Sequence, residues 1–350
     1  MNSDQFFSTV AKQYTLQKPF VIYKKPNSNR LQGQLQQSNN ITEVNFQEKG
    51  FLFAPFSNNT QQSVFFKTDD AIEIETNFNA EVSSSQFEEK EVATSLEKEQ
   101  HIQLINKSLQ ELNTGALQKV VLSRKEIVPV NFITPFEYFR KACALYDNTF
   151  CYCWYHPQVG MWLGATPETL VKLTVNQFET MALAGTLPYN GTEDVTWGAK
   201  EIEEQQIVVD SILKELQPIT SHLVKESTNT QKAGDLLHLK TIIKGTLNTP
   251  KGLEKLIELL HPTSAVCGLP KAKSQKFILA NENYDRKYYT GYLGEINPEG
   301  DSSLFVNLRC MEIAATQLSI YVGGGITALS NPDKEWQETV NKSQIMKRIL

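Results

Sequence analysis

The stretch Tyr321-Val-Gly-Gly-Gly-Ile-Thr-Ala-Leu-Ser-Asn-Pro-Asp-Lys-Glu-Trp-Gln-Glu-Thr-Val-Asn-Lys342 brings two kinds of chemistry side by side. Gly323, Gly324 and Gly325 follow the β-like run Leu318–Val322 and read as a loop whose backbone N–H groups suit an anion. Asn331 and Pro332 then open a helix as N-cap and first residue. On it Glu335 and Glu338 are three apart and Lys342 is four beyond Glu338, so all three lie near one face. An anion-friendly loop beside paired carboxylates could serve a site with a hard cation. A tight turn and a solvated helix face is the plainer alternative.

Other residues invite the same question. Glu204 precedes Ile207 and Val208 by three and four residues and so shares their apolar stripe, where a carboxylate is costly unless paired or metal-bound. Glu168 follows Pro167, a rigid way to present a carboxyl group. Lys119 adjoins Val120-Val-Leu122; at the mouth of a buried strand, desolvation would favour the neutral amine of a base. Arg309 lies in the apolar run Phe305–Ile313, expected as one strand, where a guanidinium needs a carboxylate from protein or ligand. His238 is either a hydrogen-bonded core histidine or a ligand contact. Each has a structural alternative: a first-turn acid for Glu204, a polar turn for Glu168, a snorkelling lysine for Lys119.

The elements that must position them are legible in outline. Residues 1–90, rich in Asn, Gln and Ser, look like strands joined by polar loops, with no chemical constellation. Residues 86–93 are charged and expected to be exposed, and a helix then runs to about Leu112. Helices are also expected over Pro135–Leu145, Lys200–Leu216, Leu253–Leu260 and Lys271–Asn281. Strands are expected over Leu117–Glu126, Phe150–Tyr155, Met161–Ala165, Thr169–Val175, Met181–Thr186, Tyr288–Ile296, Ser303–Ile313 and Gln317–Val322. Strands grouped with strands, with helices inserted, point to α+β layers rather than βαβ alternation.

The 350 residues are 40% hydrophobic and 21% charged, as in a soluble globular protein. A net charge of −5 argues against nucleic acid or an anionic membrane as the main partner. No apolar run approaches the ~20 residues of a membrane span. The N-terminus lacks the basic and apolar segments of a secretory signal, so a cytoplasmic protein is expected; the expectation of a monomer rests on no sequence feature. Five cysteines complete no zinc pattern; Cys151 and Cys153 would share one strand face as buried small hydrophobes.

Seven motifs occur in order: Lys119-Val-Val-Leu-Ser-Arg124, Gly164-Ala-Thr-Pro-Glu168, Ala184-Gly-Thr186, Glu204-Gln-Gln-Ile-Val-Val-Asp210, His261-Pro-Thr-Ser-Ala-Val-Cys-Gly-Leu-Pro270, Gly291-Tyr-Leu-Gly294 and Glu335-Trp-Gln-Glu-Thr339. From about residue 90 onward the chain thus resembles the chorismate-utilising enzymes, and most of all the isochorismate synthases. The resemblance implies one large α+β domain of two stacked antiparallel sheets flanked by helices. Residues 1–90 would be a strand-rich part of that domain, and 91–350 the chorismate-binding catalytic region.

It also implies a Mg²⁺ held by Glu204 and Glu338, with Glu335 beside them directly or through water. Arg309, Lys342 and the Gly323–Gly325 segment would receive substrate carboxylates, Gly185 and Thr186 would line the ring, and His238 would lie near the ring carboxylate. Lys119 would be general base for water attacking C2, and Glu168 general acid for the departing C4 hydroxyl. The expected product is isochorismate, for menaquinone or a catecholate siderophore. A salicylate synthase, which adds pyruvate elimination, shares the constellation; a non-catalytic anion-binding protein is a third reading. Gln205 stands where many relatives have His, Thr166 where many have Ser, and Leu183-Ala184 where ammonia-using relatives often have Pro-Ile-Lys.

Overall fold

In the strand Phe150–His156, side chains alternate between two cores. Cys151, Cys153 and Tyr155 join Phe6, Phe7, Phe139 and Ile345 under helices, while Phe150, Tyr152 and Trp154 meet Phe51, Phe53 and Phe305 of a second sheet. That period of two fixes the layering of the computed structural model, which describes residues 1–79, 95–130, 135–249 and 252–350. The order is helices, sheet, sheet, helices. The expectation for residues 86–93 lies outside the described residues.

The first sheet runs Gly268–Leu269, Lys119–Pro129, Gln317–Ile326, Cys310–Ile313, Gly160–Thr166, Phe150–His156, Phe20–Lys24, Arg30–Gln36 and Ala71–Asn77. The second runs Thr220–Lys225, Leu236–Leu247, Gln177–Pro188, Thr169–Thr174, Asp301–Val306, Tyr292–Ile296, Gly50–Ala54 and Val64–Lys67, with Asn229–Ala233 also paired to Leu236–Leu247. Every pairing among the described residues is antiparallel, so the expected α+β sandwich is the fold. Between the sheets lies an aromatic core: Phe150 and Phe305 stack with centroids 4.3 Å apart, and Phe53 stacks on Tyr288 at 4.4 Å. Ala199–Leu216 and Leu253–Leu260 cover the outer face of the second sheet through Val208, Val209, Ile212 and Leu256.

Three expectations are corrected. The chain opens with a helix, Ser3–Thr15, instead of a strand. Asn2 and Gln5 form its capping box, and Phe6, Phe7, Val10 and Gln13 give the buried stripe. The three glycines are no loop: the strand Gln317–Ile326 continues through them, Gly323, Gly324 and Gly325 pairing with Ser123, Leu122 and Val121. Lacking side chains, they preserve the ladder while clearing space above it. Finally, Ser303–Ile313 is two strands in different sheets, Asp301–Val306 and Cys310–Ile313, and Arg309 sits at the corner with φ +47°. All five cysteines are buried and free. No described helix is long and apolar enough to cross a membrane.

Candidate active site

The chain changes sheets twice at adjacent corners. One corner, Pro167-Glu168, joins Gly160–Thr166 of the first sheet to Thr169–Thr174 of the second. The other, Asn307-Leu308-Arg309, makes the return crossing. Ala165 N donates to Arg309 O (2.9 Å), Val306 N to Glu168 O (3.0 Å) and Thr166 Oγ1 to Val306 O (2.6 Å). Tyr152 and Asn307 close the seam with a 2.6 Å hydrogen bond. An acid and a guanidinium are thereby presented from one braced junction. Thr166 performs the bracing through its hydroxyl.

Glu168 and Arg309 line a chamber of about 70 Å³ together with Gly185, Thr186, Glu204, His238, Gly323, Gly324, Gly325 and Lys342. Burial pushes the Glu168 carboxyl up to about 8, although Lys119, Lys342 and Arg309 pull the other way. The acid is therefore mainly protonated at neutral pH. Burial brings Arg309 down to about 10, still a cation there, and its Nη1 is buried with no hydrogen-bond partner. Such an orphaned donor on a charged group is a ready seat for an anion.

His238 is fixed by its partners. Its Nδ1 lies 3.0 Å from Gly185 O, which can only accept, so Nδ1 carries the proton and Nε2 accepts from Arg309 Nη2 at 3.1 Å. Burial, then Arg309 and Lys342, bring the imidazole down to about 3, which keeps it neutral. Gly185 itself has φ +66° at a register shift between Ala184 and Thr186. Thr186 Oγ1 is 3.3 Å from the same imidazole nitrogen.

Beside the chamber lies a charge cluster from two helices and one strand. Lys119, fully buried on Lys119–Pro129, has Nζ 3.0 Å from Glu204 Oε1. Burial opposes ionisation of Glu204, yet Lys119 and Lys200 outweigh it and bring the carboxyl down to about 2. Burial raises Glu335 to about 7, against the pull of Lys200. Lys342 donates to Glu338 Oε1 (2.6 Å) and to Gly323 O (3.0 Å). The close glycine approach is essential here, because a Cβ at position 325 would stand 2.1 Å from Glu204 Oε1 and 2.9 Å from Lys119 Cε.

Residues 44–350 match the family described as chorismate binding enzyme. The chain belongs to that family. It is 35% identical over 199 residues to isochorismate synthase DhbC of Bacillus subtilis, covering 54% of this chain and 50% of that protein. Over 259 residues it is 30% identical to isochorismate synthase MenF of Escherichia coli, covering 71% of this chain and 59% of that one. The chain thus spans about half the length of the Bacillus subtilis relative. The crystal structure of DhbC from Bacillus anthracis superposes with a TM-score of 0.81 at 22% identity, over 95% of this chain and 96% of that one. That likeness is one of fold.

In this member of the family, every candidate site residue named from sequence lies at the chamber or in the adjoining cluster. Two participants were missed. Lys200 reaches Glu335 Oε1 (3.1 Å), Glu204 Oε2 (3.5 Å) and Glu338 Oε2 (4.0 Å). Its signal was the i, i+4 spacing to Glu204. Gln205, noted only as a departure, accepts from Ala184 N (2.9 Å) and donates to Ala182 O (3.1 Å) and Thr241 Oγ1 (2.9 Å), clamping Ala199–Leu216 to the strand Gln177–Pro188. No group of three or more His, Cys, Asp or Glu among the described residues closes around a point suited to a metal ion. Instead three carboxylates surround one ammonium. All-oxygen donors of this charge, converging on one ammonium, fit a hard divalent ion in type and sign.

Proposed function

We propose that this chain isomerises chorismate to isochorismate, moving the hydroxyl function from C4 to C2 of the ring. The observation that carries the reading is Glu168: a carboxyl that burial pushes up to about 8, in the chamber that Arg309 and Lys342 also line. That is what a general acid for a leaving hydroxyl requires at neutral pH.

In its neutral amine form Lys119 takes a proton from water as the water oxygen bonds to C2. Glu168 gives its proton to the C4 hydroxyl, which leaves as water while the ring double bond shifts. Addition and loss of one water balance, so no redox partner is needed. Arg309, with its unpartnered Nη1, and Lys342 receive substrate carboxylates. The glycines offer the bared edge of their strand, because past Tyr321 the neighbouring strand Cys310–Ile313 has ended. Gly185 and Thr186 border the ring, and neutral His238 orients Arg309 beside the ring carboxylate.

Glu204, Glu338 and Glu335 would hold Mg²⁺, which when bound supplies charge neutralisation and orientation of that carboxylate. The deciding experiment incubates the purified chain with chorismate and Mg²⁺, with and without chelator, and separates the products by chromatography. Chelator-sensitive isochorismate is expected. Salicylate with pyruvate would change the assigned product, and unconsumed chorismate under every metal condition would overturn the proposal.

A further inference from the structure

Lys200 lies between two spaces. The chamber of about 70 Å³ holds Glu168, Glu204, His238 and Arg309. An open vestibule of about 560 Å³ is lined by Lys200, Glu335 and Glu338, and shares Thr186 with the chamber. The Lys200 ammonium sits 3.1, 3.5 and 4.0 Å from the carboxylates of Glu335, Glu204 and Glu338. It is 15% exposed, on the vestibule side, so its flexible stem has room to withdraw.

We propose that Lys200 is a built-in placeholder: its ammonium occupies the divalent-cation seat in the metal-free protein and is expelled when the cation enters. The physical reason is repulsion. Glu204, Glu335 and Glu338 are largely buried on two facing helices, and without a positive charge between them they would repel one another across a poorly solvated space. An ammonium of the protein's own satisfies them before metal arrives. A divalent ion carries twice the charge in a smaller radius and competes for the same oxygens. The competition lowers apparent metal affinity and holds the helices together meanwhile. Lys119 and Lys342 do not duplicate the role, since each touches a single glutamate of the three.

The inference rests on Glu204, Glu335 and Glu338 being the cation's ligands, and the test separates the two. Mn²⁺ binding to the substrate-free protein is measured by electron paramagnetic resonance and calorimetry for wild type, Lys200→Met and Lys200→Arg. Thermal unfolding is followed in chelator and in excess Mg²⁺. Removing the competing charge should tighten Mn²⁺ binding by about tenfold or more in the methionine variant, by mass action. The same variant should melt below wild type in chelator and recover in Mg²⁺. The arginine variant, which keeps the charge, should stay near wild type in affinity. Should the methionine variant fold poorly, Lys200→Gln takes its place in the same titration.

Equal or weaker Mn²⁺ binding by the neutral variant would overturn the placeholder while leaving the ligand assignment in place. An arginine variant as tight as the methionine one would show that the gain does not come from removing the charge and would likewise overturn it. Absence of Mn²⁺ binding in every protein would remove the ligand assignment and the placeholder together.

Discussion

Gly325 and Glu204 approach so closely that the carboxylate occupies the place a β-carbon would take, 2.1 Å from its ideal position. Gly325 is in regular strand geometry, so alanine is permitted by the backbone and forbidden by the neighbour. Gly325→Ala should destabilise the fold by about 1–3 kcal/mol through overpacking and push Glu204 out of the cluster. Denaturant unfolding reads the first effect and the metal dependence of turnover the second. An alanine variant with wild-type stability and Mg²⁺ dependence would refute the apposition.

Glu168 sets a pH dependence of definite sign. The native carboxyl keeps its proton to about 8, whereas its ordinary value is 4.5. Turnover that needs the acid should fall above pH 8, about tenfold per unit. Between 4.5 and 8 the native state binds more protons than the unfolded chain, so the Glu168 contribution to stability is complete below 4.5 and declines as pH rises towards 8. Glu168→Gln should remove that slope and lower turnover by about 10²–10⁴-fold. An unchanged kcat in the glutamine variant would reassign the acid.

Lys119→Met fills most of the same volume without a base. Product formation should drop by about 10²–10⁴-fold while chorismate still binds in the presence of Mg²⁺. Fluorescence or calorimetric titration with chorismate separates the two effects. Loss of binding in parallel with turnover would make Lys119 a structural partner of Glu204 and not the base.

Arg309→Ala removes a guanidinium with one nitrogen unpaired and another on His238. The expected change is in substrate capture, with KM rising by about 10–100-fold, the worth of a charge-assisted hydrogen bond. Steady-state kinetics decides it. A fall in kcat at constant KM would place Arg309 outside carboxylate recognition.

Much of this was readable beforehand because most site residues break a local rule. Glu204 sits on an apolar stripe and Arg309 in an apolar run, and each exception lies at the candidate site. The helix Pro332–Lys347 followed from its Asn331 cap. What escaped was decided by tertiary partners. The glycines look like a loop in one dimension, and only pairing with Ser123, Leu122 and Val121 keeps them in a strand. Arg309 could not be placed at a corner, because the switch between sheets leaves no mark in a run that is apolar on both sides. Lys200 resembles any first-turn lysine until Glu335 and Glu338 arrive from another helix, 135 and 138 residues later. The opening helix was legible and overlooked: Asn2 and Gln5 were there to be read as a capping box.

The strand Gln317–Ile326 comes near the end of the chain yet lies inside its sheet, between Lys119–Pro129 and Cys310–Ile313. A growing polypeptide therefore cannot close that sheet until residues 317–326 have emerged, and the pairings it then makes span about two hundred residues. Residues 120–129 wait without a partner on that side while the intervening residues are being made. A product interrupted before residue 317 would carry Lys119 and Glu168 without the strand that links their parts of the sheet.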